Sequence, residues 1–230
     1  MSKKNKEKIE ENLEIVEGAL TRTERYIEQN QKSLTIIILA IVAIIGGYLA
    51  YQKFYVQGLE KKAQAEMFAA ERYFELDSFN LALNGDGINQ GVLYIIDEYG
   101  VTKSANLSHY YAGISYLHLG NFEKAIEYLK GFDSKDVILS ALATGAIGDA
   151  YVELGDLDEA LSFYLKATKI NANEFTTPLF LKKAALIHEE KGDFKGALEL
   201  YTKIKKEYHT SREANDIDKY ITRAELKAGA

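Results

Sequence analysis

The seventeen residues from Leu34 to Ala50 carry no charge, and all but Thr35 are apolar or small. At about 1.5 Å per helical residue such a run is just long enough to cross a hydrocarbon layer. Tyr48, Tyr51 and Tyr55 carry it into an interface where amphipathic rings settle. The predicted transmembrane helix covers 33–52, and the rest of the chain must be arranged around that span.

A cleavable signal peptide is the rival reading. It would need a short basic start, an apolar stretch of about 7 to 15 residues and a small-residue cleavage site. Here thirty-three residues come first, with seven basic and seven acidic side chains, and the chain turns aromatic and charged afterwards. The expectation is an uncleaved, single-pass anchor in contact with membrane lipid. There is no cysteine, which excludes a lipidated-cysteine anchor. Lys3, Lys4, Lys6, Lys8, Arg22, Arg25 and Lys32 precede the span, whereas Lys53, Lys61 and Lys62 are the basic residues soon after it. The positive-inside bias therefore places the tail, 1–32, in the cytoplasm and the larger part outside the membrane. Within that tail Ile9, Leu13, Val16 and Leu20 share one face of a weak amphipathic helix.

The outer part is long enough to bury a core without disulfides or metals. A single proline, Pro178, argues for long helices and few rigid turns. The net charge of −6 falls wholly after the span, so no basic groove is available for nucleic acid.

Repeats organise this region. Gly113, Tyr116, Leu119, Gly120, Phe122 and Ala125 recur 35 residues later as Gly148, Tyr151, Leu154, Gly155, Leu157 and Ala160. A third copy, 37 residues on, has Ala185, His188, Lys191, Gly192, Phe194 and Ala197, with Tyr201 matching Tyr164 and Leu129. The pattern resembles the tetratricopeptide repeat, two antiparallel helices in about 34 residues. Gly113 and Gly148 sit where the first helix of a hairpin meets the second closely, and Ala125, Ala160 and Ala197 answer from the second. Gly120, Gly155 and Gly192 end the first helices, and Asn121, Asp156 and Asp193 follow as N-caps.

The predicted fold is all-α: one transmembrane helix followed by an α-solenoid of tetratricopeptide-like hairpins. Leu59, Ala63, Met67, Ala70, Phe74 and Leu81 trace one face of a long helix, broken by Asn84, Gly85, Asp86 and Gly87. A short helix from about Val92 to Glu98 completes a degenerate first hairpin, so that 53–105 precedes three repeats over 106–207. Ala214, Ile217, Tyr220, Ile221 and Ala224 then mark a closing helix within 208–230.

No chemistry is expected. His188, Glu189 and Glu190 are adjacent and point to different sides of a helix, unlike ligands at i and i+4. His109, His118 and His209 are scattered, no glycine-rich phosphate loop follows a strand, and no cofactor, metal or small-molecule substrate is implied. Asn106, Leu107 and Ser108 form a glycosylation triplet at a helix start.

A stack of hairpins presents a concave surface lined by its first helices. The repeat register projects Tyr110, Ile114, Leu117 and His118, then Asp149, Val152 and Glu153, then Lys182, Leu186, Glu189 and Glu190 onto it. The carboxylate clamp of chaperone-binding relatives is missing, with Tyr110, Gly145 and Ile114 where its groups would stand. Ala40, Ala43, Gly47 and Ala50 form a small-residue stripe on the span, the surface on which another membrane helix packs closely.

The layout of cytoplasmic tail, single span and outward repeat domain resembles the YfgM-like family of ancillary Sec-translocon (SecYEG) subunits. Tyr51, the helix from Leu59 to Leu83 and the closing helix near Ile217 to Ile221 are in the expected places. The resemblance implies a non-enzymatic protein of the bacterial inner membrane. Its implied partners are the channel subunits and a membrane-anchored periplasmic chaperone of the prolyl-isomerase kind. The alternative is a structural scaffold of an envelope assembly or secretion machine.

Overall fold

A computed structural model of the chain describes residue 24 and residues 26–229. The amphipathic face predicted at Ile9 to Leu20 lies outside the described residues. The chain divides into two units, Met1–Val56 and Gln57–Ala230. Among the described residues every regular element is helical, with one isolated bridge between Gly85 and Gln90.

In the first unit, α1 spans Gln31–Ala50 and ends in a wider π-helical turn, Tyr51–Val56. Helix α1 is long and apolar enough to cross a membrane. None of its residues is buried by protein; Ile36, Ile44 and Leu49 are exposed, as is Phe54 in the turn that follows. Exposed apolar surface on this scale is the kind that marks a membrane or protein contact.

The second unit opens with α2, Gln57–Glu75, which buries Ala63, Met67 and Ala70. The face predicted from Leu59 to Phe74 is the inward one, but Leu81 does not continue it. Asp77 takes a left-handed conformation (φ 54°) and ends the helix, and the separate α3, Phe79–Asn84, buries Ala82 and Leu83 and leaves Leu81 39% exposed. The next break is tied by Asp86, whose carboxylate accepts the N–H groups of Ile88 (2.8 Å) and Asn89 (2.6 Å) and the Tyr73 hydroxyl (2.7 Å). Helix α4, Val92–Glu98, completes this irregular hairpin at the predicted position.

Three regular hairpins follow: α5 (Lys103–His118) on α6 (Phe122–Gly131), α7 (Val137–Glu153) on α8 (Leu157–Ile170), and α9 (Thr176–Glu190) on α10 (Phe194–Glu207). Their ends are written as expected. Gly120, Gly155 and Gly192 have φ of 75°, 78° and 77°, a conformation that a Cβ penalises. Asn121, Asp156 and Asp193 then accept the N–H of the third residue of the next helix. A Cβ on Gly113 would lie 2.4 Å from Leu129 Cγ, and one on Gly148 2.7 Å from the Tyr164 ring. Ala125, Ala160, Ala185 and Ala197 are fully buried at the corresponding contacts.

Asn106 is fastened across the first hairpin, donating to the Asp133 carbonyl (2.6 Å) and accepting the Asp133 N–H (3.0 Å). The predicted closing helix begins with a 3₁₀ turn, Arg212–Asp216, and continues as α11, Ile217–Ala228. Ile217 and Ala224 seal Leu181, Ala185, Tyr201 and Ile204 into one cluster. Full burial of a side chain such as Ile204 stabilises by roughly 2 kcal/mol, and without α11 that apolar surface would face water.

Candidate functional site

The first helices of successive repeats bring five of the projected residues together. Leu117, His118, Asp149, Val152 and Glu153 line an open cleft of about 530 Å³, completed by Gly120, Phe122 and Tyr164. Leu117, Phe122 and Val152 supply its apolar lining. The His118 ring at its edge is backed by the irregular hairpin, lying flat on Phe79 with centroids 4.3 Å apart and planes 6° apart.

The charge in this cleft is not what the projection suggested. Asp149 accepts hydrogen bonds from the Tyr164 hydroxyl (2.6 Å) and from Lys183 Nζ at 2.6 and 2.8 Å. An acid placed to meet a ligand is already neutralised by the next repeat. Burial, followed by the Asp149 charge, pushes the Tyr164 hydroxyl far above its ordinary pKa, so it stays a donor. Glu153 remains exposed at the rim and enters no ion pair among the described residues.

Lys182 and Leu186 lie in a second cleft of about 580 Å³, with Leu179, Lys183, Arg212, Glu213, Asn215 and Asp216. Lys182 is held there by Asp216 at 3.1 Å, and its ammonium sits 4.5 Å from the centre of the Tyr220 ring. Glu189 departs from the projection: its side chain is 13% exposed and pairs with Arg223 of α11 at 2.7 Å. The closing helix covers the face that the repeat register alone would leave open. Glu190 stays exposed. Tyr110 and Ile114 line neither of these clefts. Tyr110 packs on Tyr111 and Phe132, with ring centroids 6.0 and 5.5 Å away, and Ile114 leans on the core of the first repeats.

The register missed Lys183, Tyr164, Phe122 and Phe79. Lys183 carried a usable signal, since it stands 34 residues after Asp149, about one repeat, and is opposite in charge. Phe79 carried none, because the irregular hairpin has no repeat to align. On α1 the residues Ala40, Ala43, Gly47 and Ala50 are all exposed, and a Cβ added to Gly47 would meet nothing within 4 Å. Among the described residues no group of three His, Cys, Asp or Glu is placed to hold a metal.

The comparisons with known proteins agree with this geometry. Residues 108–135 and 145–174 each match a family model described as tetratricopeptide repeat. No curated protein matches the sequence. Among solved structures, the chain is similar to the nearly identical TPR-like repeats of a Podosopora anserina chain described as a kinesin light chain. That match has a TM-score of 0.54 and 15% identity over 74% of this chain and 88% of that one. It is also similar to the MamA protein, with a TM-score of 0.51 and 18% identity over 73% of this chain and 92% of that one. These likenesses establish the fold: an all-α solenoid with tetratricopeptide repeats, a kind of array that typically binds other proteins without catalysing reactions.

Proposed function

We propose that the chain is a non-enzymatic, membrane-anchored adaptor: an ancillary subunit of the Sec translocon that assists handover of exported proteins to a periplasmic chaperone. The observation that carries this reading is the pairing, in one chain, of an uncovered apolar helix with an open cleft between tetratricopeptide hairpins. In this reading α1 spans the bacterial inner membrane with its N-terminus in the cytoplasm. The stripe of Ala40, Ala43, Gly47 and Ala50 docks on a channel helix, and the periplasmic repeats hold a membrane-anchored chaperone of the prolyl-isomerase kind. Confinement beside the channel raises the effective concentration to about millimolar, so the cleft need not bind tightly.

The test is affinity purification of the tagged full chain from membranes opened in mild detergent, with co-purifying proteins identified by mass spectrometry. Channel subunits together with a periplasmic chaperone are expected. Gly47→Ile should lower channel recovery several-fold while leaving the unfolding of the repeat unit unchanged; equal recovery would remove the stripe from the argument.

One observation favours a second reading, a structural scaffold of an envelope machine. Asp149 and Glu189 are both engaged within the molecule rather than offered to a ligand. Recovery of envelope assembly or secretion components without the channel would select it.

A further inference from the structure

Helix α2 sorts its charges by side. Glu60 accepts the N–H groups of Lys103 (2.8 Å) and Ser104 (3.3 Å) and the Ser104 hydroxyl (2.8 Å), capping the start of α5. Glu66 accepts the Tyr99 hydroxyl at 2.9 Å. Glu71 faces Tyr111, where its charge adds to burial in raising the tyrosine pKa to about 12. Three of the four acids on this helix are therefore engaged by the hairpins behind it, although Glu66 also reaches the edge of the outer face.

The opposite side is basic around one aromatic ring. Lys61, Ala65, Phe68 and Arg72 follow at helical spacing, with Lys62 beside them and Glu75 as the one acid at the far end. Phe68 is 69% exposed and Ile88, on the adjoining loop, is 90% exposed. Ala65, Glu66, Ile88, Asn89 and Gln90 border a shallow, mostly polar cleft of about 290 Å³ beside them. Lys61, Lys62 and Arg72 enter no ion pair among the described residues.

We infer that this outer face of α2 is a second docking surface, and that its occupant is a protein segment with acidic side chains flanking a pocket for Phe68. An aromatic anchor beside arginine is the composition of an interface centre, and the uncompensated cations select a partner of opposite charge. From Lys61 to Arg72 the face runs about 16 Å, the length of a short partner helix laid alongside. A lipid surface fits less well. A helix that lies in a bilayer interface needs a broad apolar sector, and the broad apolar sector of α2, with Ala63, Met67 and Ala70, is already in the core.

The experiment places a photo-crosslinking phenylalanine analogue at position 68 of the full chain in its native membrane. The expected result is one protein adduct, mapped by mass spectrometry to a segment with acidic residues. Its yield falls at least tenfold when Lys61, Lys62 and Arg72 are changed to Glu, and returns when the mapped acids are changed to Lys. The three substitutions lie on an exposed face, and the helical circular dichroism of the purified variant should match the parent. Adducts with lipid alone would assign the face to the membrane and overturn the proposal. So would an adduct insensitive to the charge reversal, or no adduct.

Discussion

The joint between the first and second repeats and the joint between the second and third both bury apolar side chains but differ in what is added to them. At the first, Ala112, Tyr116, Ile126 and Leu129 meet Ala143, Ala146, Ile147 and Ala150 in one apolar cluster. At the second, the position of Tyr110 is taken by Gly145, the position of Ile114 by Asp149 and that of Leu129 by Tyr164. The ring of Phe180 fills the space that Gly145 leaves, and Lys183 closes on Asp149. Apolar packing holds two surfaces together but tolerates sliding. A glycine socket and a hydrogen-bonded ion pair accept one register.

The third repeat meets the closing helix in a related way. Tyr201 is fully buried, and burial followed by the charge of Glu189 pushes its hydroxyl well above the ordinary tyrosine range. Among the described residues its hydroxyl has no hydrogen-bond partner of ordinary geometry, whereas Glu189 pairs with Arg223. Tyrosine, acid and a cation from the next element recur at both joints. What differs is that the hydrogen bond from Tyr164 is made and that from Tyr201 is not.

Gly145→Leu should break the comparison most. Even a Cβ there would stand 1.9 Å from the ring of Phe180, which is buried and has nowhere to move. A loss of about 3 kcal/mol is expected, lowering the melting temperature of the repeat unit by roughly 6 to 12 °C in a helical circular dichroism melt. Lys183→Met should cost less, about 1 kcal/mol, because Asp149 is a third exposed and partly screened. Adding Asp149→Asn should recover part of that loss, and a double-mutant cycle without coupling would show that the pair does not set the register.

Acid should have the smallest effect and should separate the two ends. Asp193 titrates low because the Gly196 N–H and then His188 bind its carboxylate, and Asp216 because Lys219 and then Lys182 do. For both, the folded state binds fewer protons than the unfolded one. Their contribution is present above about pH 4 and is lost as pH falls below it. His109 in the first repeat has its pKa lowered by burial, so the unfolded state takes up its proton first and stability there declines below about pH 6.5. The chain has no tryptophan. Tryptophan placed at Leu119 in one variant and at Leu226 in another should report the higher window first. A single shared transition would show that the ends are not separable.

The hairpins were legible in the sequence because their determinants are local and periodic. Gly120 and Asn121 act within one turn, and Gly113 meets Leu129 sixteen residues away in a fixed register. Where the reading failed, the cause lay outside that period. Leu81 belongs to a separate helix because of the left-handed turn at Asp77, which nothing in the neighbouring residues announces. Glu189 is drawn out of the groove by Arg223 of the covering helix, which the repeat register does not include. A one-residue difference decides that Lys183 reaches the preceding repeat and Lys182 the cap, finer than the repeat register resolves.

The ion pair between Asp149 and Lys183 also bears on how such an array can change. In the repeat alignment the residue matching Lys183 within the second repeat is Ala146. A duplicated second repeat, inserted after itself, would set Ala146 against Asp149 and leave a partly buried acid with one tyrosine for company. The repeats look alike in outline yet cannot be reordered or multiplied freely. Growth or shortening of this solenoid is easier where neighbours meet without a partly buried ion pair, as the first and second repeats do.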